Sequence, residues 1–453
     1  MTIKKEITRL EKSRVNLSIN IGKDDVLSEY NELLATYSKT IQLPGFRKGK
    51  VPQGVLINKF GDALKDEALG KIIEKAVENV LSDEAFPRDS RPLPYATPQV
   101  QDEPKLDLEK DLQFSVIYDV LPQVKVEKWQ GLEVEYPDVA IEEEDIGREL
   151  ESIRDRNSIV IDKSEGEGAA KGDVVTVDYW ELDDEGNPLE HGARKDFSYT
   201  LGSGYNAYKF DDEISGMKKG ETREFSKTYG EDDKELSGKT IKLKVSLSSL
   251  KIKKLPDLDD ELAQDVDEKF KTLDDLKNSI RERLVKDLER RIKDTKINNL
   301  LEKMIDNTPV EIPESMLKME LDARWRNLAR QLNTDVNGLY KILGNSPERT
   351  ESIIDSWKGD ATRALHSRLI VETLIEELKL EASDEEVEKE HERMASESGA
   401  SIEEVKKYYE SGQMREYLKD DIKERKLFDM FLEKNTIKAG KKQKYMDLIS
   451  KNG

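Results

Sequence analysis

Pro44-Gly45-Phe46-Arg47-Lys48-Gly49-Lys50-Val51-Pro52 sets one aromatic and three cations on a tight turn, and the residues on either side of it decide the fold. Upstream, with Asp24 as candidate N-cap, apolar side chains fall at Val26, Leu27, Tyr30, Leu33, Leu34 and Tyr37, one stripe of an amphipathic helix. Downstream, a second helix is predicted near Pro52, since proline suits a first helical turn, and a third carrying Ile72, Ile73, Ala76, Val77 and Val80. Further out, Val15, Leu17, Ile19 and Ile21 alternate with polar residues, as do Leu112, Phe114, Val116 and Tyr118. That is the period of strands with one buried face. Residues 1–118 therefore read as a small α+β domain.

The chain has 453 residues, more than one core usually organises, so further domains are expected. Pro122, Gly131 and Pro137 punctuate an extended connector over 119–160, in which Ile146, Leu150 and Ile153 mark a short helix. A β-rich unit is expected over 161–252, with strands at Val175-Val177-Tyr179, Phe197-Tyr199-Leu201 and Ile241-Leu243-Val245-Leu247. From 253 to 453 the pattern is helical. Thr272 with Asp275, Ser383 with Glu386, and Ser401 with Glu404 have the spacing of helix-start capping boxes. Pro309 and Pro313 interrupt the stripe, the latter placed to begin a helix at Glu314. No heptad run is long enough for a coiled coil, which leaves helical hairpins or arms.

The absence of cysteine excludes disulfides and thiolate metal sites. The amino terminus carries charges throughout and has no apolar core of a signal peptide, and no run of about 18 apolar residues occurs. A cytoplasmic protein with no membrane contact is the expectation. The formal charge of −21 argues against general nucleic-acid binding. Residues 1–60, however, hold eleven Lys or Arg against six Asp or Glu, a net of +5 that leaves −26 elsewhere. A basic head on an acidic body suggests one localised contact with something anionic.

Arg47, Lys48 and Lys50 are not easily buried together, so they should face water or a partner. Phe46 either tucks back onto the helices or serves as an exposed anchor. A nucleotide loop is excluded, because Val51 follows Gly49-Lys50 where a magnesium-binding Ser or Thr should stand. His191, His366 and His391 lie far apart, without metal-ligand spacing, so neither metal nor cofactor is expected. The acidic runs Glu142-Glu143-Glu144 and 257–261 read as solvated helix starts.

The run GFRKGKVP, between helices of an N-terminal α+β domain, resembles the ribosome-binding signature of the bacterial trigger factor family. The order of domains resembles that family along the whole chain: a multidomain α+β protein with an N-terminal ribosome-binding domain, an inserted FKBP-like β domain and a helical C-terminal chaperone domain with arms. The resemblance implies a chaperone working without ATP at the ribosomal tunnel exit, shielding nascent and unfolded chains and assisting folding, export and cell division. Phe46, Arg47 and Lys48, with Lys50, would be the docking contacts. A homodimer away from the ribosome is a partner it also allows.

Lys171-Gly172-Asp173, then Phe197 to Gly202, then Gly216 to Glu221 resemble the framework of FKBP-type prolyl isomerases. The resemblance implies a pocket walled by Tyr179, Phe197 and Phe210, with Tyr229 as the loop tyrosine; each could equally be sheet core. Leu189 and Leu243 stand at positions usually aromatic. Asn206-Ala207-Tyr208-Lys209 replaces the family's usual approach to the pocket aromatic, and the loop after Phe225 is short, so the expected isomerase activity is weak. In the helical part, Met316, Met319, Trp325, Trp357, Phe428 and Phe431 are candidate client contacts, together with Leu328, Leu332, Leu365, Tyr408 and Tyr409; core packing is the competing role. Two readings compete: a ribosome-docked holdase with a secondary isomerase, or an isomerase whose helical arms deliver substrate.

Overall fold

The computed structural model describes residues 2–44, 46, 49–101, 103–183, 185–189, 192–230 and 236–450. Strands β1 (Ile3–Leu10) and β2 (Arg14–Ile21) form an antiparallel hairpin. Helix α1 (Lys23–Thr40) starts from Gly22 rather than Asp24; Asp24 and Asp25 lie in its first turn, where carboxylates suit the helix dipole. Helix α2 (Gln53–Ser82) is two helical stretches joined across a kink at Phe60, where the backbone is non-helical (φ −132°, ψ 16°), in keeping with the two helices the sequence predicts after the turn. Strands β3 (Gln99–Gln101) and β4 (Leu112–Asp119) complete a sheet of order β1-β2-β4-β3. The alternating residues of β2 and β4 form one core with Val26, Tyr30, Leu33 and Leu34 of α1 and Leu56, Leu64, Ile72 and Val80 of α2.

Strand β5 (Glu133–Asp138) is followed by α3 (Glu143–Arg156), whose start is a capping box of Glu142 and Asp145. A second sheet then forms from β6 (Ile159–Asp162), β7 (Val174–Leu182), β8 (Arg194–Thr200), β9 (Thr222–Thr228) and β10 (Thr240–Lys254), with α4 (Asp211–Ile214) between β8 and β9. Its order is β6-β10-β7-β8, with β9 also on β10. Register shifts near Ser249 and Tyr179 bend the sheet. Lys163 reaches the buried Asp173 of the Lys171-Gly172-Asp173 turn at 2.6 Å and the Gly168 carbonyl at 2.9 Å. Beside it, a Cβ on Gly168 would stand 2.6 Å from the Gly216 carbonyl, so only glycine fits.

Helices α5 (Asp260–Val266), α6 (Leu273–Asn307), α7 (Glu314–Gln331), α8 (Val336–Ile342), α9 (Pro347–Glu377), α10 (Asp384–Ser398), α11 (Ile402–Tyr408) and α12 (Gly412–Lys434) follow. Thr272 and Asp275 exchange the expected capping bonds at α6, as do Ser383 with Glu386 and Ser401 with Glu404. Pro313 caps α7, as its position suggests. The helical expectation fails near the end: β11 (Thr436–Lys442) pairs with β5, and only α13 (Tyr445–Ser450) returns to helix. Among the described residues no helix is long and apolar enough to cross a membrane.

The chain folds as two compact units, each assembled from separate stretches: residues 1–136 with 293–440, and residues 137–292 with 441–453. In the first, the buried Glu390 of α10 accepts bonds from Arg393 (2.5 Å) and from Arg425 of α12 (2.8 Å). Burial would raise its pKa, but the two guanidiniums outweigh it and hold the carboxyl at about 2. A depressed carboxyl stabilises the fold above its unfolded value of 4.5, and that contribution disappears as pH falls toward about 2. Glu390→Gln should therefore remove about 3 kcal/mol of local stability at neutral pH. Amide exchange in α10 and α12 checks this: protection in the native chain should fall between pH 4.5 and 2, and the variant should lack that step.

Candidate functional site

The turn between α1 and α2 is fixed at its base and open at its tip. Leu43 and Val51 are buried in the N-terminal core on either side of it. The Ser38 hydroxyl donates to the Val51 carbonyl, and the Phe46 amide donates to Leu43 O at 3.1 Å. Deeper down, Tyr37 of α1 donates to Glu67 of α2, which Lys71 also holds at 2.8 Å, so the two helices are tied together below the turn. Gly49 has φ +78°, and an added Cβ would lie 3.2 Å from the Lys39 carbonyl. Phe46 is 38% exposed and Lys50 is exposed, while Arg47 and Lys48 lie outside the described residues.

The second site is a connected group of rings in the β6–β10 sheet. Phe197 and Tyr199 sit two apart on β8, hence on one face, and stack at 5.0 Å. Tyr179 of β7 meets Phe197 edge-on at 5.9 Å, Phe210 at 5.5 Å and Tyr208 at 5.6 Å. Phe210, the residue before α4, also meets Phe225 at 6.3 Å. Arg194 lies over the Phe197 ring, 4.4 Å from its centroid. Tyr229 donates through its hydroxyl to the Tyr208 carbonyl at 2.7 Å. Leu243 belongs to the same buried cluster. The four residues expected from the sequence thus come together, while Tyr199, Tyr208, Phe225 and Arg194 were not anticipated as members. The spacing of Tyr199 from Phe197 was the available signal; the other three had none local in sequence. Burial, followed by the nearby Glu181 carboxylate, pushes the Tyr208 hydroxyl up to about 12.

The six candidate client contacts do not form one surface. Met316 packs with Leu93, Leu365 and Leu369. Trp325 is buried with Leu339 and meets Tyr340 at 5.5 Å and Trp357 at 6.1 Å. Phe431 is fully buried against Trp129 and Phe428. Trp357 and Phe428 are half-buried, and Met319 is exposed. Of the other candidates, Leu332 and Tyr408 are exposed and Leu365 is buried. His366 contacts the Thr308 carbonyl, His391 is buried beside Tyr409, and His191 lies outside the described residues.

A bent antiparallel sheet crossed by a short helix, with this ring cluster on its face, is an FKBP-type domain; the FKBP-type peptidyl-prolyl cis-trans isomerase profile matches residues 165–247. Profiles of the bacterial trigger factor protein and of its C-terminus match residues 3–153 and 272–433. Trigger factor of Treponema denticola is 43% identical over 451 residues, covering 99% of this chain and 100% of that protein. Those of Treponema pallidum and Borreliella burgdorferi are 35% and 34% identical, each alignment covering 99% of both chains. The chain belongs to the bacterial trigger factor family. A solved structure of a trigger factor chaperone, 25% identical and covering 95% of this chain and 99% of its own, superposes with a TM-score of 0.47; the assignment rests on the sequence matches.

The geometry of the turn gives a direct test of its base. Gly49→Ala forces a side chain into left-handed backbone against the Lys39 carbonyl, and should cost about 1–2 kcal/mol. Denaturant unfolding of the full chain should show this loss. Gly54→Ala, where an added Cβ meets nothing within 4 Å, should not destabilise.

Proposed function

We propose that the chain is a cytoplasmic, ATP-independent chaperone that docks at the ribosomal tunnel exit, shields newly made chains while they fold or are exported, and isomerises X-Pro bonds weakly. The observation that carries this reading is the turn itself. An exposed phenylalanine and the exposed Lys50 stand on a two-helix base, in a sequence run that also carries Arg47 and Lys48, in a family member whose remaining charge is strongly negative. An aromatic anchor ringed by cations suits a surface made of protein and RNA. Phe46, Arg47, Lys48 and Lys50 are its contacts. On the helical part, exposed Met319, Leu332 and Tyr408 are the client-facing residues. Met316, Trp325, Trp357, Phe428 and Phe431 hold the helices that carry such surfaces. A freely diffusing isomerase would have no use for the turn, which favours the holdase reading over delivery of substrate to an isomerase.

Rotation of an X-Pro bond needs no nucleophile; the barrier of about 20 kcal/mol comes from amide resonance. Rings that hold the proline and exclude water favour the less polar twisted amide. Tyr179, Phe197, Phe210 and Tyr229 would supply such walls. Ala207 offers less apolar bulk than the isoleucine usual in such domains, so binding is weak.

Phe46→Ala with Arg47→Ala and Lys48→Ala should abolish co-sedimentation with ribosomes at moderate salt while the circular dichroism spectrum is unchanged. Ribosome binding equal to the native chain's would refute the docking role. For the isomerase, Phe210→Ala should lower turnover of a short Phe-Pro peptide yet leave suppression of client aggregation intact; undiminished turnover would place the reaction elsewhere.

A further inference from the structure

The rings of the isomerase site are already in contact with one another, and this limits what a proline can reach. Phe210 is 0% exposed, Tyr229 5% and Tyr179 7%. A prolyl ring can lie against such walls only if one side chain first gives way. Phe197 and Tyr199 belong to β8 and Phe225 to β9, where ladder pairing fixes the backbone.

Tyr208 differs. It lies outside the sheet, on the segment between β8 and α4, and it is half-buried between exposed Ala207 and Lys209. Its ring stands edge-on to Tyr179 at 76°, and its hydroxyl donates to Glu181 Oε2 at 3.2 Å, a bond that water can replace. Its backbone, by contrast, is anchored. Asn206 is almost fully buried; its Nδ2 donates to the Tyr199 hydroxyl at 3.3 Å and its Oδ1 accepts from the Tyr208 amide at 3.1 Å. The Tyr229 hydroxyl holds the Tyr208 carbonyl from the other side. The side chain can therefore swing while the main chain stays.

We propose that Tyr208 is a plug: its ring occupies the place on Tyr179 that a client's prolyl ring takes, and Glu181 latches it there until a client displaces it. The inference rests on the isomerase reading and deepens it, assigning part of the weak activity to a removable ring. Tyr208 acts as a gating and specificity residue. Clients whose residue before proline is aromatic would replace the Tyr208–Tyr179 contact with one of their own, and so compete best.

The test uses the full chain with Tyr208→Ala and Tyr208→Phe, titrated calorimetrically with a blocked Ala-Phe-Pro-Phe peptide, with cis–trans exchange of the same peptide followed by NMR. Tyr208→Ala should lower Kd and raise kcat/KM about three- to tenfold, as loss of one aromatic contact implies. Tyr208→Phe, which keeps the ring but loses the Glu181 bond, should show a smaller gain in the same direction. That variant guards against collapse of the loop in Tyr208→Ala. Unchanged or weaker peptide binding by both variants overturns the plug. If Tyr208→Ala binds more tightly while no form speeds exchange, the plug stands and the isomerase reading falls. If the native chain isomerises and neither variant gains affinity, the plug falls and the isomerase reading stands.

Discussion

Burial of Leu43 and Val51 on opposite sides of one turn is the constraint on which the proposed docking site depends. Each residue is drawn into the core formed with α1 and α2, which anchors the segment between them at both ends. Gly49 adopts left-handed backbone close enough to the Lys39 carbonyl to strain any added side chain, and the Tyr37–Glu67–Lys71 contacts keep the helices together just below. Between Leu43 and Val51, Phe46 and Lys50 remain exposed, an aromatic ring that a soluble surface would ordinarily hide and a cation that is costly to bury. Local stability here produces exposure of a defined kind.

A similar division runs through the FKBP-type domain. Strand pairing fixes Tyr179, Phe197 and Tyr199, and the buried Asp173–Lys163 contact fixes the turn at one end of the sheet. The segment from Gly202 to Lys209 is held by hydrogen bonds through Asn206 and Tyr229 rather than by a ladder. Rigid walls and a loop with a movable ring are what a site needs if it must admit many different sequences around one proline. In the helical part, large apolar side chains mostly hold helices to one another, while Met319 and Leu332 stay exposed.

The parts of this architecture that were legible in the sequence are those with one buried face. The alternation at Val15–Ile21 and Leu112–Tyr118, the α1 stripe and the capping pairs at Ser383 and Ser401 all reappear as elements, because burial imposes the period directly. Strand β1 was missed because it is an edge: five of its eight residues are exposed, and IKKEITRL shows no alternation. Strand β11, TIKAGKK, is hidden for the same reason and exists only through pairing with β5, about 300 residues earlier. The two helices expected after the turn meet at Phe60, a junction that no local pattern marks. For the site, Tyr179, Phe197 and Phe210 were legible from framework spacing, whereas Tyr208 depends on Glu181, 27 positions away, and no local pattern announces that contact.

The central claim is that the turn between α1 and α2 is the surface by which this chaperone holds the ribosome. Hydrogen–deuterium exchange of the full chain, with and without ribosomes, tests it without altering any residue. New protection should appear in the amides around 43–52 and at the facing ends of α1 and α2, and the β6–β10 sheet should exchange as before. Protection that left the turn unchanged and appeared on that sheet would contradict the account.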